Sequence, residues 1–224
     1  MLLLAADTSG KHGSIALAND DYSQFELIEM FPLSGGTFSA ELVPQIAKLL
    51  SRHQLSKDQI EAFVVATGPG SFTGLRVGLA AIKGLAEVLK KPIVPISLLE
   101  ALARAAHSQG RILSLLDAGR NEVYVGEYEF NDGVTKMHRE LLLGRDECLQ
   151  MAKSDLTAKV ITSDQSVAEW LKESRVTSQV VEQPQSDFLA RMGLRKLLAG
   201  ETVAPEELEA NYIRRAEAEV KRSG

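Results

Sequence analysis

Short apolar runs of strand length punctuate this chain, and between them the apolar spacing switches to a helical period. Residues 2–6 (LLLAA) form an unbroken apolar run, which predicts a fully buried strand. DTSGKHG follows as a turn, then SIALA and QFELIEMF as two further strands. Gly35 and Gly36 break the pattern. From Phe38 a helix is predicted, with Leu42, Val43, Ile46, Leu49 and Leu50 on one face and Pro44 within its early turns. AFVVA (62–66) is the next strand, TGPGSFTGLRVGLAAIKGLAEVL (67–89) a glycine-rich turn and helix, and KKPIVPI a strand. SLLE at 97–100 has the spacing of a capping box and predicts a helix to Ser108.

The order of three strands, helix, strand, helix then restarts. RILSLLDAGR (111–120) echoes LLLAADTSGK, an apolar strand ending in aspartate and turn residues. EVYVGEYEF answers SIALAND, and Asn131-Asp132-Gly133 is a hairpin signal leading to a third strand. TAKVITS (157–163) predicts a strand and VAEWLKES a helix. SDFLARMGLRKLLAG predicts a helix capped by Ser186 or Asp187 and closed by Gly200. This pattern predicts an α/β fold duplicated as two subdomains, 1–105 and 106–224, with a return of the C-terminal tail to the first left open.

Charge narrows the function classes. The net charge is −5, with no basic run longer than two residues, which argues against a free-standing nucleic-acid binder. A lone cysteine, Cys148, excludes an internal disulfide and a multi-cysteine metal site, and reads as a small apolar residue. MLLLAADTSG has no basic leader region, and Arg76, Lys83 and Glu87 interrupt the apolar stretch at 74–89. The expectation is a soluble intracellular protein without membrane association.

The glycine loop invites a nucleotide, but the motifs fail. No stretch has the P-loop form, and Gly68, Gly70 and Gly74 give G-x-G-x-x-x-G rather than the dinucleotide fingerprint. Pro69-Gly70 favours a turn with positive φ at the glycine, Ser71 or Thr73 can cap the helix, and free amides there would attract an anion. The bland alternative is a tight strand-to-helix connection. Within the helix, Gly74, Gly78 and Ala81 make a strip almost without side chains. Helical glycine costs about 1 kcal/mol relative to alanine, so the strip implies another backbone close by. That backbone belongs either to the chain's own sheet or to another subunit.

TGPGSFTGLRVGLAAIKGLA, LLLAADTSG and DAGRNEVYVGEY together resemble the TsaB (YeaZ) family, nearly end to end; in NYIRR, Ala210 stands where a proline is common. The resemblance implies an actin-like, Hsp70-like duplicated fold and a part in making threonylcarbamoyladenosine beside the tRNA anticodon. It implies a non-catalytic companion of the TsaD transferase, joined by the TsaE ATPase, self-pairing when alone, meeting tRNA only through the complex, and cytoplasmic. The expected partner surface is Leu42 and Ile46 of the 38–50 helix with Phe72, Gly74, Leu75, Arg76, Gly78, Leu79, Ala81 and Ile82 of the 72–86 helix.

Catalysis by the chain itself finds little footing in the residues. His12, His53, His107 and His138 are far apart, with no HxxxH or HExxH pair to share a metal. Asp7, Asp117 and Gly119 keep part of the outline by which actin-like ATPases hold magnesium and phosphate. Each aspartate is equally explained as the cap of its own turn. The expectation is no resident cofactor and no tight ATP binding; the rival is a stand-alone ATPase or kinase using Asp7 and Asp117.

Overall fold

A computed structural model describes residues 1–21, 24–131 and 134–213. Two five-stranded sheets carry the same order of strands. The first contains β1 (Leu2–Asp7), β2 (His12–Asp20), β3 (Phe25–Ser34), β4 (Ile60–Gly68) and β5 (Ile93–Ser97), with α1 (Phe38–Arg52) before β4 and α2 (Phe72–Leu89) after it. Its order is β3-β2-β1-β4-β5. β1 pairs antiparallel with β2 and parallel with β4.

The second sheet contains β6 (Gly110–Gly119), β7 (Glu122–Asn131), β8 (Val134–Gly144), β9 (Lys159–Thr162) and β10 (Ser178–Val180). α3 (Leu98–Ala105) precedes it, and α4 (Arg145–Ser154) and α5 (Gln165–Glu173) flank β9. Its order, β8-β7-β6-β9-β10, repeats the first sheet strand for strand. The duplication expected from the echo of LLLAADTSGK in RILSLLDAGR is therefore real at the level of topology. The Asp132-Gly133 part of the hairpin signal lies outside the described residues, as do Arg214 and Arg215 of NYIRR.

β1 is buried along its whole length because helices cover both faces of its sheet. Leu2, Leu4 and Ala6 meet residues of α1 and α2, including Leu42, Ile46, Leu49 and Ile82. Leu3 points the other way, to Leu194 of α6 (Ser186–Leu198). A strand packed on both sides has no polar face, hence the unbroken apolar run. In the second sheet α4 and α5 cover one face through Cys148, Ala152, Val167 and Leu171. Cys148 is accordingly buried, and burial pushes its thiol up to about 11, leaving no useful thiolate at neutral pH.

The chain divides elsewhere than at residue 105. One compact unit is Met1–Ser97 with Pro184–Asn211, and Leu98–Gln183 forms the body of the other. α3 packs on β6 and β7 of the second sheet, whereas α6 packs on β1, β2 and β4 of the first. The cut at residue 105 followed sequence order; the return to the first unit that the sequence left open is made by Pro184–Asn211, because the apolar face of α6 is needed by the early sheet.

Two local expectations are also revised, and one helix is new. α3 stops at Ala105, because Arg104 and His107 close a turn in which His107 has φ +49°. α6 is capped neither by Ser186 nor by Asp187: its N-cap is Gln185 without a side-chain bond, and the Ser186 N–H donates to Ser14 Oγ of β2, 3.0 Å away. A buried helix start can be satisfied by the core it enters. α4 was not anticipated at all. Gly200 does close α6, with φ +76° and the Glu201 N–H donating to the Lys196 carbonyl.

α6 approaches β4 so closely that a Cβ on Gly193 would lie 2.3 Å from Val64 Cγ2. Gly193→Ala is expected to lower stability, read by urea denaturation, by about 1–3 kcal/mol from overpacking, since the helix-propensity gain of about 1 kcal/mol cannot relieve a clash with a β-branched core residue.

Candidate functional site

The segment with the most demanding geometry is the glycine loop, and it turns inward. After β4 the chain passes Gly68 (φ +118°) and Pro69, then enters α2 with Ser71 as N-cap. Ser71 Oγ accepts from the Gly74 N–H at 3.3 Å, which confirms the serine and leaves Thr73 without that role. Positive φ falls on Gly68, not on Gly70. Gly70 is required for space: a Cβ there would lie 2.6 Å from the Ser9 carbonyl oxygen. The Ser71 N–H donates to that same carbonyl at 2.6 Å, and the Leu75 N–H donates to the Ser71 carbonyl. The Ser71, Gly74 and Leu75 amides are thus engaged by the chain itself.

The strip on α2 has the same cause. A Cβ on Gly74 would sit 2.1 Å from the Thr8 carbonyl oxygen, and one on Gly78 would sit 2.2 Å from Thr8 Oγ1. Thr8 Oγ1 donates to the Gly74 carbonyl at 2.7 Å, a buried bond between the turn after β1 and the helix. The backbone implied by two helical glycines is therefore the chain's own. Sequence reasoning found the glycines and missed Thr8; the available signal was a hydroxyl directly after the first strand.

The expected partner surface is corrected accordingly. Leu42, Ile46, Leu75, Leu79 and Ile82 are buried, and Gly74 and Gly78 are spent on Thr8. Of that set, Phe72 and Arg76 are exposed and Ala81 is half-buried, with the Arg76 guanidinium stacked 3.7 Å over the Phe72 ring. The outward faces carry Ala40, Val43, Pro44 and Ala47 on α1 and Ala80, Gly84 and Val88 on α2, with Lys48, Arg52, Arg76 and Glu87 also exposed. Val43 is 48% and Val88 74% exposed. This pair of helices presents stripes of small and apolar residues edged by charged side chains.

Asp7 and Asp117 stand at matching points of the two sheets, and each caps its own turn two residues on. The Ser9 N–H donates to Asp7 Oδ1 at 2.8 Å, and the Gly119 N–H donates to Asp117 Oδ1 at 3.2 Å. Their surroundings differ. Asp7 is 6% exposed, and desolvation raises its pKa against the opposing hydrogen bonds from Ser9. Asp117 is exposed, and its N–H donates at 2.6 Å to Asp164, whose own pKa is raised by desolvation. Asp164 carried no motif that sequence reasoning could have caught. Among the described residues no group of three or more His, Cys, Asp or Glu is placed to hold a metal ion, and no helix is long and apolar enough to cross a membrane.

Comparisons with known proteins align with this architecture. Residues 33–182 match the family model of TsaD, tRNA N6-adenosine threonylcarbamoyltransferase. The tRNA threonylcarbamoyladenosine biosynthesis protein TsaB of Bacillus subtilis is 31% identical over 99% of this chain and 97% of its own length. TsaB of Haemophilus influenzae is 29% identical over 96% of this chain and 94% of its own. The solved structure of YeaZ from Pseudomonas aeruginosa superposes with a TM-score of 0.73 at 24% identity, covering 94% of this chain and all of that one. The fold is thus a duplicated, actin-like one.

Two outcomes follow from the Thr8 seam. Gly78→Leu is expected to unfold the chain or lower its melting temperature by roughly 6–12 °C, the equivalent of about 3 kcal/mol of overpacking, whereas Gly84→Ala, into open space, is expected to hold or raise it. Calorimetry distinguishes this from a pure loss of association. The second concerns Asp7, whose folded pKa lies above the unfolded value of 3.8. The folded state then binds the proton more tightly, so stability falls as pH rises from that value through the folded pKa. Asp7→Asn removes this loss, and its urea midpoint relative to wild type should climb between pH 4 and pH 8.

Proposed function

Because the chain belongs to the TsaB (YeaZ) family of tRNA threonylcarbamoyladenosine biosynthesis proteins, we propose that it is the non-catalytic subunit of a threonylcarbamoyl-transferring complex. It pairs with a TsaD-type transferase in the cytoplasm, is joined there by a TsaE-type ATPase, and meets tRNA only through that assembly. The observation that carries this reading is the outward surface of α1 and α2, where Val43, Ala47, Ala80 and Val88 lie exposed. Small side chains there let a partner helix approach closely, and a subunit of the same fold offers a helix pair of matching shape. Self-pairing through this surface is the state expected of the chain alone.

Support for the non-catalytic part comes from the loop and the aspartates. The Ser71 and Gly74 donors are bound within the chain, and the space beside Gly70 and Gly74 is filled by Ser9 and Thr8. Asp7 is desolvated and tied to the Ser9 amide. A stand-alone ATPase would need both to be open to a nucleotide, so that rival has less to build on. No resident cofactor is proposed.

The test is reconstitution. Val43→Glu with Ala80→Glu should weaken association with TsaD at least a hundredfold in calorimetric titration, since an uncompensated interfacial charge costs about 3 kcal/mol or more, while the melting temperature stays within a few degrees. Asp117→Asn should leave tRNA modification by the rebuilt complex within a few-fold. Modification of tRNA by the chain without TsaD, or tight magnesium-dependent ATP binding by it, would overturn the proposal.

A further inference from the structure

The two sheets end in equivalent edge strands, β5 and β10, and the two edges are treated differently. In the first, residues facing away from β4 are already met. The Ile93 N–H and carbonyl exchange hydrogen bonds of 3.2 and 2.8 Å with Val203 in an antiparallel bridge. The next outward residue, Pro95, has no N–H to offer. An extended piece of the chain therefore closes this edge.

β10 lacks both devices. It pairs parallel with β9, and the Val181 N–H donates to the Thr162 carbonyl, so Gln179 and Val181 face β9. By the alternation of a strand, the N–H and carbonyl groups of Ser178 and Val180 face outward. Among the described residues none bonds them. Val180 is 49% exposed. Beside this edge runs α5, and between them lies a groove of about 580 Å³ with Ala168, Val176 and Val180 supplying apolar wall. Its charged lining is Glu169, Lys172 and Arg175. Glu169 Oε1 accepts from Gln165 Nε2 at 3.1 Å, while Lys172 and Arg175 have no carboxylate partner among the described residues.

We propose that the groove between α5 and β10 is a docking site for an extended acidic segment of a partner protein. The segment adds to the sheet as Val203 does to β5, takes backbone hydrogen bonds from Ser178 and Val180, and sets its carboxylates against Lys172 and Arg175. Main-chain pairing provides affinity in such strand addition, and the flanking side chains provide selectivity. The site lies in the Leu98–Gln183 unit and stands independently of the α1 and α2 surface.

The probe is a displayed library of random dodecapeptides panned on the full chain. Expected is enrichment of Asp- and Glu-bearing peptides with alternating β-branched residues, and protection of the Ser178 and Val180 amides from hydrogen exchange by an enriched peptide. Val180→Pro, which removes one outward donor, and Lys172→Glu with Arg175→Glu, which leaves the backbone alone, should each weaken that peptide at least tenfold. No enrichment over the Lys172→Glu, Arg175→Glu variant overturns the proposal, as does equal binding of a charge-reversed peptide. Sedimentation supplies the remaining outcome: a dimer lost in Val180→Pro would assign the edge to a second copy and overturn it as well.

Discussion

The hydrogen bond from Thr8 to the Gly74 carbonyl, with Gly78 beside it, sets the distance between the first strand and the helix that follows β4. At that separation no side chain larger than hydrogen fits on the facing turn of α2. Ser9 extends the seam to the loop, since its carbonyl receives the Ser71 amide and excludes a Cβ at Gly70. The glycines at 70, 74 and 78 thus follow from one close approach. A phosphate-binding loop spends its glycines to bring backbone amides near an anion; here the same residue type brings backbone near backbone. With the inner side of α2 spent, only its outward stripe is left for a partner.

The two units share a topology and diverge in what sits at the end of their first strands. In one, Asp7 is enclosed and its turn is overlaid by α2. In the other, Asp117 makes the same two-residue turn in the open, beside Asp164. Equivalent edges diverge too, with β5 bridged by Val203 and β10 unmet among the described residues. Duplication fixed the strand order, and subsequent packing needs decided which turns and edges were sealed.

Much of the fold was legible because its signals are local. LLLAA, AFVVA and the restart at residue 111 reveal buried strands through composition alone, whereas the cap of α2 was narrowed only to Ser71 or Thr73. The candidate surface was half legible. Gly74 and Gly78 announced a close backbone, but nothing in a one-dimensional pattern says whose backbone it is, and Leu42, Ile46 and Ile82 are apolar whether they meet a partner or the sheet. Which stripe of an amphipathic helix is covered depends on the sheet beneath it. The helix α6 was legible but its placement was not, for a related reason: a helix carries no mark of which sheet it will cover. Asp164 matters only because Asp117 lies next to it in space.

The assignment of Pro184–Asn211 to the first unit has a consequence for synthesis. On a ribosome, β1 to β5 emerge long before α6, and at about 5–20 residues per second the intervening stretch takes roughly 5–20 seconds. Throughout that interval Leu3, Ala62 and Val64 have no helix over them, and Ser14 has no Ser186 amide to receive. The second unit, contiguous over Leu98–Gln183, holds its own covering helices by then. The part of the chain made first is therefore the part finished last, and its uncovered sheet face is the surface a chaperone would meet on the nascent chain.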